Sequence, residues 1–192
     1  MRLKILKLGI VKSTNNEAIK LIKKNNLIPS LIYTNNQTNG KGTGGKKWVS
    51  KKGNLFISIY FEHNDKKNKP EQISLLNPDV IKNILKKYTN FNIKIKWPND
   101  LLIKNKKICG ILQEVITFKS KKYLIIGIGI NTLHAPHGRN FKSISLNECS
   151  KNKVNNLNIL ENIKKSYEKL ISDITRHNLS LIHISEPTRL GM

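Results

Sequence analysis

Residues 91–131 read FNIKIKWPNDLLIKNKKICGILQEVITFKSKKYLIIGIGIN, and this stretch decides the fold. Phe91–Trp97 alternates apolar and polar side chains, which predicts a strand. Pro98-Asn99-Asp100 then predicts a turn, and a hairpin follows around Asn105-Lys106. The hairpin strands are predicted at 101–104 and 107–118. The almost wholly apolar run Tyr123–Asn131 predicts a central strand that is buried on both faces.

The rest of the chain adds helices and further strands to this core. Thr14 and Glu17 have the spacing of a capping box, so a first helix is expected to begin at Thr14 and to run to about Asn25. Asn77 and Pro78 predict the cap and first position of a helical segment at 78–88, separate from one at 71–76. The remaining predicted elements are strands at 3–11, 31–34 and 55–61 and an amphipathic helix at 159–174. This order predicts an α+β fold with a mixed sheet.

The composition limits the class of protein. The chain has 192 residues, the length of one domain, and 35 Lys and Arg against 12 Asp and Glu, a formal net charge of +23. Such an excess invites a nucleic-acid interpretation. Nearly all the cations are Lys, however, whereas nucleic-acid readers favour Arg for bidentate contacts. We therefore assign most of the excess to solvated surface and the rest to an anionic ligand or partner.

Other compartments and site types are disfavoured by the sequence. No run of about 18 apolar residues exists, so no membrane span is predicted. Cys109 and Cys149 are too few for a disulfide scaffold and have no metal-ligand spacing. We therefore expect no metal ligands among the side chains, and the cytoplasm as the compartment.

A glycine-rich loop, Gln37–Trp48, offers the first candidate site. Gly40, Gly42 and Gly45 match a dinucleotide-binding pattern, but the loop leads to a strand instead of a helix. A P-loop is excluded because Lys47 stands where a Ser or Thr must hold the metal. The loop has exposed N–H groups and three lysines that could close over a phosphate, and a plain solvated loop is an equal alternative.

Three further clusters carry polar groups next to glycines or a rigid turn. They are Lys96–Asp100, Lys107–Leu112 and Gly127–Asn131. Each has a structural alternative: an Asx turn, an edge lysine beside a packing glycine, and a bulge in a central strand. Together, however, they occur in an order that is specific.

That order strongly resembles the catalytic domain of biotin–protein ligases (biotin–[acetyl-CoA carboxylase] ligases). The matching segments are Ser13-Thr14-Asn15, Gln37–Gly42, Trp48, Lys96–Asp100, Lys107–Leu112 and Gly127–Asn131. The resemblance covers about residues 1–175. It implies a class II aminoacyl-tRNA synthetase-like fold, with helices packed on one face of a mixed sheet.

The resemblance also implies a reaction and its participants. Biotin is activated by Mg²⁺-ATP to biotinyl-5′-AMP and then transferred to a lysine of a biotin carboxyl carrier domain. No DNA or membrane partner is expected, and homodimers that pair sheets edge to edge are common in the family. Two alternatives are a lipoate or octanoyl transferase of the same superfold, which the Trp-Pro-Asn-Asp turn disfavours, and a basic nucleic-acid-binding module.

Roles are carried over from the family residue by residue. Lys107 is the main electrostatic catalyst, Asp100 orients the incoming lysine, and Lys41 belongs to the loop that covers the adenylate. The resemblance places these further residues around biotin and the nucleotide: Ser13, Thr14, Asn15, Gln37, Gly40, Gly42, Thr43, Trp48, Asn99, Gly110, Gly129 and Asn131.

The chain departs from the family pattern in its loop and at its ends. The usual Arg after Gly40 is Lys41, and the next basic positions are Thr43 and Gly44, so we expect a looser hold on the adenylate. Residues 1–178 are predicted to form the catalytic domain, with no winged helix and no C-terminal β-barrel. Residues 179–192 change composition abruptly and are predicted to be a non-native tail.

Overall fold

The computed structural model describes residues 1–136 and 142–176. The α-helices are α1 (Thr14–Lys23), α2 (Pro70–Leu85) and α3 (Asn156–Arg176). The strands are β1 (Lys4–Lys7), β2 (Ser30–Thr34), β3 (Gly40–Lys41), β4 (Lys47–Trp48), β5 (Leu55–His63), β6 (Ile93–Lys96), β7 (Asp100–Ile103), β8 (Lys106–Phe118) and β9 (Lys121–Ile130). The predicted domain end at 178 and the predicted tail lie outside the described residues.

Seven strands form the main sheet in the order β1-β2-β5-β9-β8-β7-β6, and β3 with β4 forms a separate two-stranded ribbon. β1 and β2 are parallel, whereas the other neighbours are antiparallel. The sheet is therefore mixed, as predicted. β9 lies at its centre between β5 and β8, which confirms the central strand predicted at 123–131.

Alternate residues of β9 serve the two faces of the sheet. One set joins the main core, together with apolar residues of α2 and α3, and consists of Leu124, Ile126, Ile128 and Ile130. The other set faces α1, where Tyr123 and Ile125 pack in a smaller core with Ala18 and Ile22. The sequence placed all helices on one face, and here the structure differs. α2 and α3 share a face, whereas α1 buries its own apolar stripe on the opposite one.

The predicted break before Pro78 is wrong, because α2 runs unbroken through it. Asn77 does not cap a helix. It is fully buried, donates to Oε1 of Gln113 at 3.0 Å and accepts from the hydroxyl of Tyr167 at 3.1 Å. These two tertiary bonds fix the segment in place and override the cost of a proline inside a helix.

The predicted capping box at the start of α1 is also wrong. Ser13 occupies the cap position without a side-chain bond to the helix, and Thr14 is already helical. The side chain of Gln37 takes over the capping task, because its Oε1 accepts from the backbone N–H of Thr14 at 2.9 Å. The first turn of α1 is thereby joined to the glycine-rich loop.

The 91–131 stretch folds as two successive hairpins that lead into β9. β6 and β7 pair around residues 97–99, and Asn99 fastens this turn to β8 by a bond from its Nδ2 to the carbonyl of Ile111 at 3.0 Å. The register shift in this part of the sheet lies at Leu101/Leu102. Strand β9 pairs regularly through Gly127 and Gly129, so the bulge alternative does not apply there. Within 1–136 and 142–176, no helix has the length and apolar character needed to cross a membrane.

Candidate active site

Two adjoining cavities lie against the indole of Trp48. The larger is a cleft of about 480 Å³, and the smaller is a polar pocket of about 30 Å³. The cleft is lined from the β3–β4 ribbon, β7, β8 and the segment after β9. The pocket is lined from the start of α1, Gln37, β5 and β9. Trp48 therefore separates two chemically different compartments.

The Trp48 side chain lies flat on a floor made by two glycines. Gly110 of β8 and Gly129 of β9 are cross-strand partners. A Cβ at Gly110 would be 2.5 Å from Cζ3 of the indole, and one at Gly129 would be 2.7 Å from Cε2. The glycines predicted as a bare floor thus admit a side chain of the protein itself. The indole N–H is buried and has no hydrogen-bond partner among the described residues.

Lys107 stands at the edge of this floor. Its Nζ is 2.7 Å from Oδ1 of Asp100 and 5.1 Å from the centre of the Trp48 ring. The side chains of Lys107 and Asp100 are 28% and 19% exposed, so the ion pair is partly shielded from water and less screened than a surface pair. Both line the larger cleft, and the structure thereby brings together the two residues predicted for catalysis.

The larger cleft is strongly cationic. Its lysines are Lys46, Lys47, Lys96, Lys107 and Lys142. Asp100 is the one carboxylate among the described residues that line it. Such a site favours ligands with several negative charges. The sequence had singled out four of these five lysines. Lys142 was missed because it follows a loop with no motif of its own.

The smaller pocket holds neutral hydrogen-bonding groups. The residues predicted to bind a ring there, Ser13, Thr14, Asn15 and Gln37, all line it and are all buried. Gly127 makes room for Asn15, since a Cβ would lie 2.3 Å from the amide oxygen. Gly40 does the same for Gln37, whose Nε2 would be 2.6 Å from a Cβ. The pocket therefore offers both donors and acceptors without a net charge.

Two serines that the sequence did not single out connect these groups. The hydroxyl of Ser58 lies 2.8 Å from Oγ1 of Thr14 and also bonds to Oδ1 of Asn15. Ser50 accepts from Nε2 of Gln37 at 3.1 Å. Ser58 could have been suspected, because it is a polar residue inside the otherwise apolar run of β5.

The other predicted residues are divided between the site and its frame. Gly42, Thr43 and Asn131 line the larger cleft. Lys41 instead points to Glu114, at 3.6 Å between Nζ and Oε1, and does not line the cleft. Asn99 spends its amide on the backbone of β8, as described above. Asn131 is also tied down, because its Nδ2 donates to the carbonyl of Lys107 at 3.2 Å.

Thiol and side-chain metal chemistry find no support at this place. Burial raises the pKa of the Cys109 thiol, so that it stays protonated as a core residue. Among the described residues, no group of three His, Cys, Asp or Glu side chains is placed to hold a metal ion. The chemistry available is therefore electrostatic: lysines around a developing negative charge, next to a neutral recognition pocket.

Sequence comparison identifies relatives of this chain. A family model described as the biotin/lipoate A/B protein ligase family matches residues 8–131. The bifunctional ligase/repressor BirA of Bacillus subtilis is 29% identical over 181 residues, which are 91% of this chain and 56% of that protein. The chain thus spans a little over half the length of this relative.

Solved structures share the fold. Biotin protein ligase from Aquifex aeolicus, in complex with biotin and ATP, matches with a TM-score of 0.73 and 27% identity over 92% of this chain and 74% of that one. The Leishmania major enzyme in complex with biotinyl-5-AMP matches with a TM-score of 0.76 and 23% identity over 93% and 78%. The family model spans well over half of the chain and includes Gln37, Lys107 and Asn131, so this protein belongs to the biotin/lipoate A/B protein ligase family.

Proposed function

We propose that this chain activates biotin with ATP and transfers it to a lysine of a biotin carboxyl carrier domain. The observation that carries the proposal is the pairing of a neutral polar pocket with a cationic cleft on one glycine floor. Biotin has the matching polarity, with an uncharged ureido ring at one end and a carboxylate at the other. The ureido group needs donors and acceptors, which Thr14, Asn15 and Gln37 supply.

The first step joins two anions and therefore depends on cations. A carboxylate oxygen of biotin attacks the α-phosphorus of ATP, the bond to the β-phosphate oxygen breaks, and pyrophosphate leaves. Lys107 is placed to neutralise the charge that develops on the carboxylate and the α-phosphate. Lys46, Lys47, Lys96 and Lys142 provide further positive charge along the cleft. Mg²⁺ would enter with ATP as its counter-ion.

The second step needs a neutral amine. The ε-amine of the carrier lysine attacks the carbonyl carbon of the mixed anhydride, the carbon–oxygen bond to AMP breaks, and the amine loses a proton. Asp100 lies at the reacting edge of the cleft and can orient the amine by accepting one of its hydrogens. Its 2.7 Å pairing with Lys107 links the two steps, because any change in one group alters the field at the other.

The loop and the surroundings complete the proposal. Lys41, Thr43 and Gly44 replace stronger guanidinium contacts, so the adenylate is held less tightly than the family pattern provides. The acceptor is the carrier domain of acetyl-CoA carboxylase or a related carboxylase, no DNA is bound, and the reaction takes place in the cytoplasm. A homodimer is compatible with the edge strands β1 and β6.

The proposal is tested by mixing the protein with biotin, Mg²⁺-ATP and an apo carrier domain and measuring biotin on the carrier. Biotin-dependent exchange of pyrophosphate into ATP isolates the first step. K107A is expected to lower that exchange by at least about 100-fold, while K106A, on the exposed neighbour, leaves it unchanged. Transfer of lipoate in place of biotin would assign the chain to the other branch of its family. Salt-dependent DNA binding without any acyl transfer would overturn the proposal.

A further inference from the structure

Glu114 is a carboxylate on β8 that the proposed reaction does not use. It pairs across the sheet with Ile125, on the face that α1 covers, and its side chain is 27% exposed. A half-buried carboxylate loses hydration and must recover it from partners. Each oxygen of Glu114 has one. Oε2 accepts from Nδ2 of Asn15 at 2.7 Å, and Oε1 lies 3.6 Å from Nζ of Lys41.

The amide of Asn15 is held at both ends. Its oxygen accepts from Ser58, and its nitrogen donates to Glu114. A carboxylate can only accept, so Glu114 forces the NH₂ end of the amide toward β8, and Ser58 then meets the oxygen. Ser58 alone would not fix this orientation, because a hydroxyl both donates and accepts. Asn15 lines the smaller pocket, whereas Glu114 lines neither cavity.

We propose that Glu114 is a positioning residue that sets the orientation of the Asn15 amide and ties it to Lys41 of the ribbon. The inference rests on the proposed function and adds the residue that fixes how the pocket recognises the ring of its substrate. Glu114 acts through Asn15 and does not touch the reacting atoms. Its removal should therefore weaken binding of the ring and leave the chemical step nearly intact.

The test is E114Q, which keeps the size and an acceptor oxygen but removes the charge. A glutamine amide both donates and accepts, so Asn15 can then adopt either orientation. We expect the KM for biotin to rise by roughly three- to tenfold with kcat within about twofold, the pattern of a lost ground-state contact. E62Q is the matched control, because it breaks the exposed Glu62–Lys121 pair at a distant part of the sheet.

A double-mutant cycle identifies the route of the effect. In an N15A background, E114Q should raise the KM for biotin by less than about twofold, since the amide that it positions is gone. An equal effect of E114Q with and without Asn15 would overturn the inference, as would a fall in kcat at unchanged KM. If E114Q behaves like E62Q while the wild type is active, this inference fails and the proposed function stands. A wild type that neither binds biotin by calorimetry nor forms its adenylate would overturn both.

Discussion

Gly129→Ala tests whether the floor of the site is built for the Trp48 indole. The three atoms nearest to an added Cβ all belong to that ring: Cε2 at 2.7 Å, and Cζ2 and Nε1 at 3.0 Å. Carbon atoms in contact are normally about 3.5–4.0 Å apart, so the ring must move by about 1 Å. Inserting a methyl group into a well-packed place costs about 1–3 kcal/mol. Trp48 sits on a two-residue strand and can shift, so we expect the lower end, about 1 kcal/mol of unfolding free energy.

The assay is urea unfolding of four proteins: wild type, G129A, W48A and G129A/W48A. If the cost arises from the indole, G129A should cost less than about 0.5 kcal/mol in the W48A background, or should even stabilise by restricting the unfolded chain. Gly9→Ala is the matched control, because no atom lies within 4 Å of a Cβ placed there. It should change stability by less than about 0.5 kcal/mol. A G129A cost that is the same with and without Trp48 would refute the packing argument.

Three further predictions follow from other parts of the structure. S58A removes the hydroxyl between Thr14 and Asn15, and it should lower the unfolding free energy by about 1–3 kcal/mol in urea, with weaker biotin binding by calorimetry. D100N should slow single-turnover transfer from preformed biotinyl-AMP to the carrier by about tenfold or more, and equal rates would remove Asp100 from that step. Burial raises the pKa of Tyr167, so the stability that it contributes is complete below about pH 10, the unfolded pKa, and is lost as the pH rises above it. Y167F should flatten this alkaline loss in thermal unfolding scans, and a loss of the same size in Y167F would exclude Tyr167 as its origin.

The sheet was predictable because its pattern is local. The apolar run of β9 and the turn residues between β7 and β8 lie within 31 residues of one another, from Asp100 to Ile130. Helix ends depended instead on distant partners. Gln37 meets Thr14 across 23 residues, and Tyr167 meets Asn77 across 90. Cap and proline rules consider only neighbours in sequence, so they misplaced both helix boundaries.

The site was predicted in its residue types but not in its connections. The glycines at 110, 127 and 129 indicated missing side chains, but the sequence could not say that Trp48 and Asn15 fill the space. Lys41 was expected over the ligand because of its loop, and in the structure its charge is drawn to Glu114. Glu114 itself gave no signal, because a single carboxylate in a strand is typical of a solvent-facing position.

Strand β9 shows how stability and function are separated within one element. Its even-numbered residues are Leu or Ile and fill the main core, where α2 and α3 pack. On the other face the side chains become smaller toward the site, from Tyr123 through Ile125 to Gly127 and Gly129. Burial of the first face contributes about 1.5–3 kcal/mol for each large apolar side chain. The second face can therefore give up its own packing to make room for Asn15 and Trp48, because the strand is held by its opposite side.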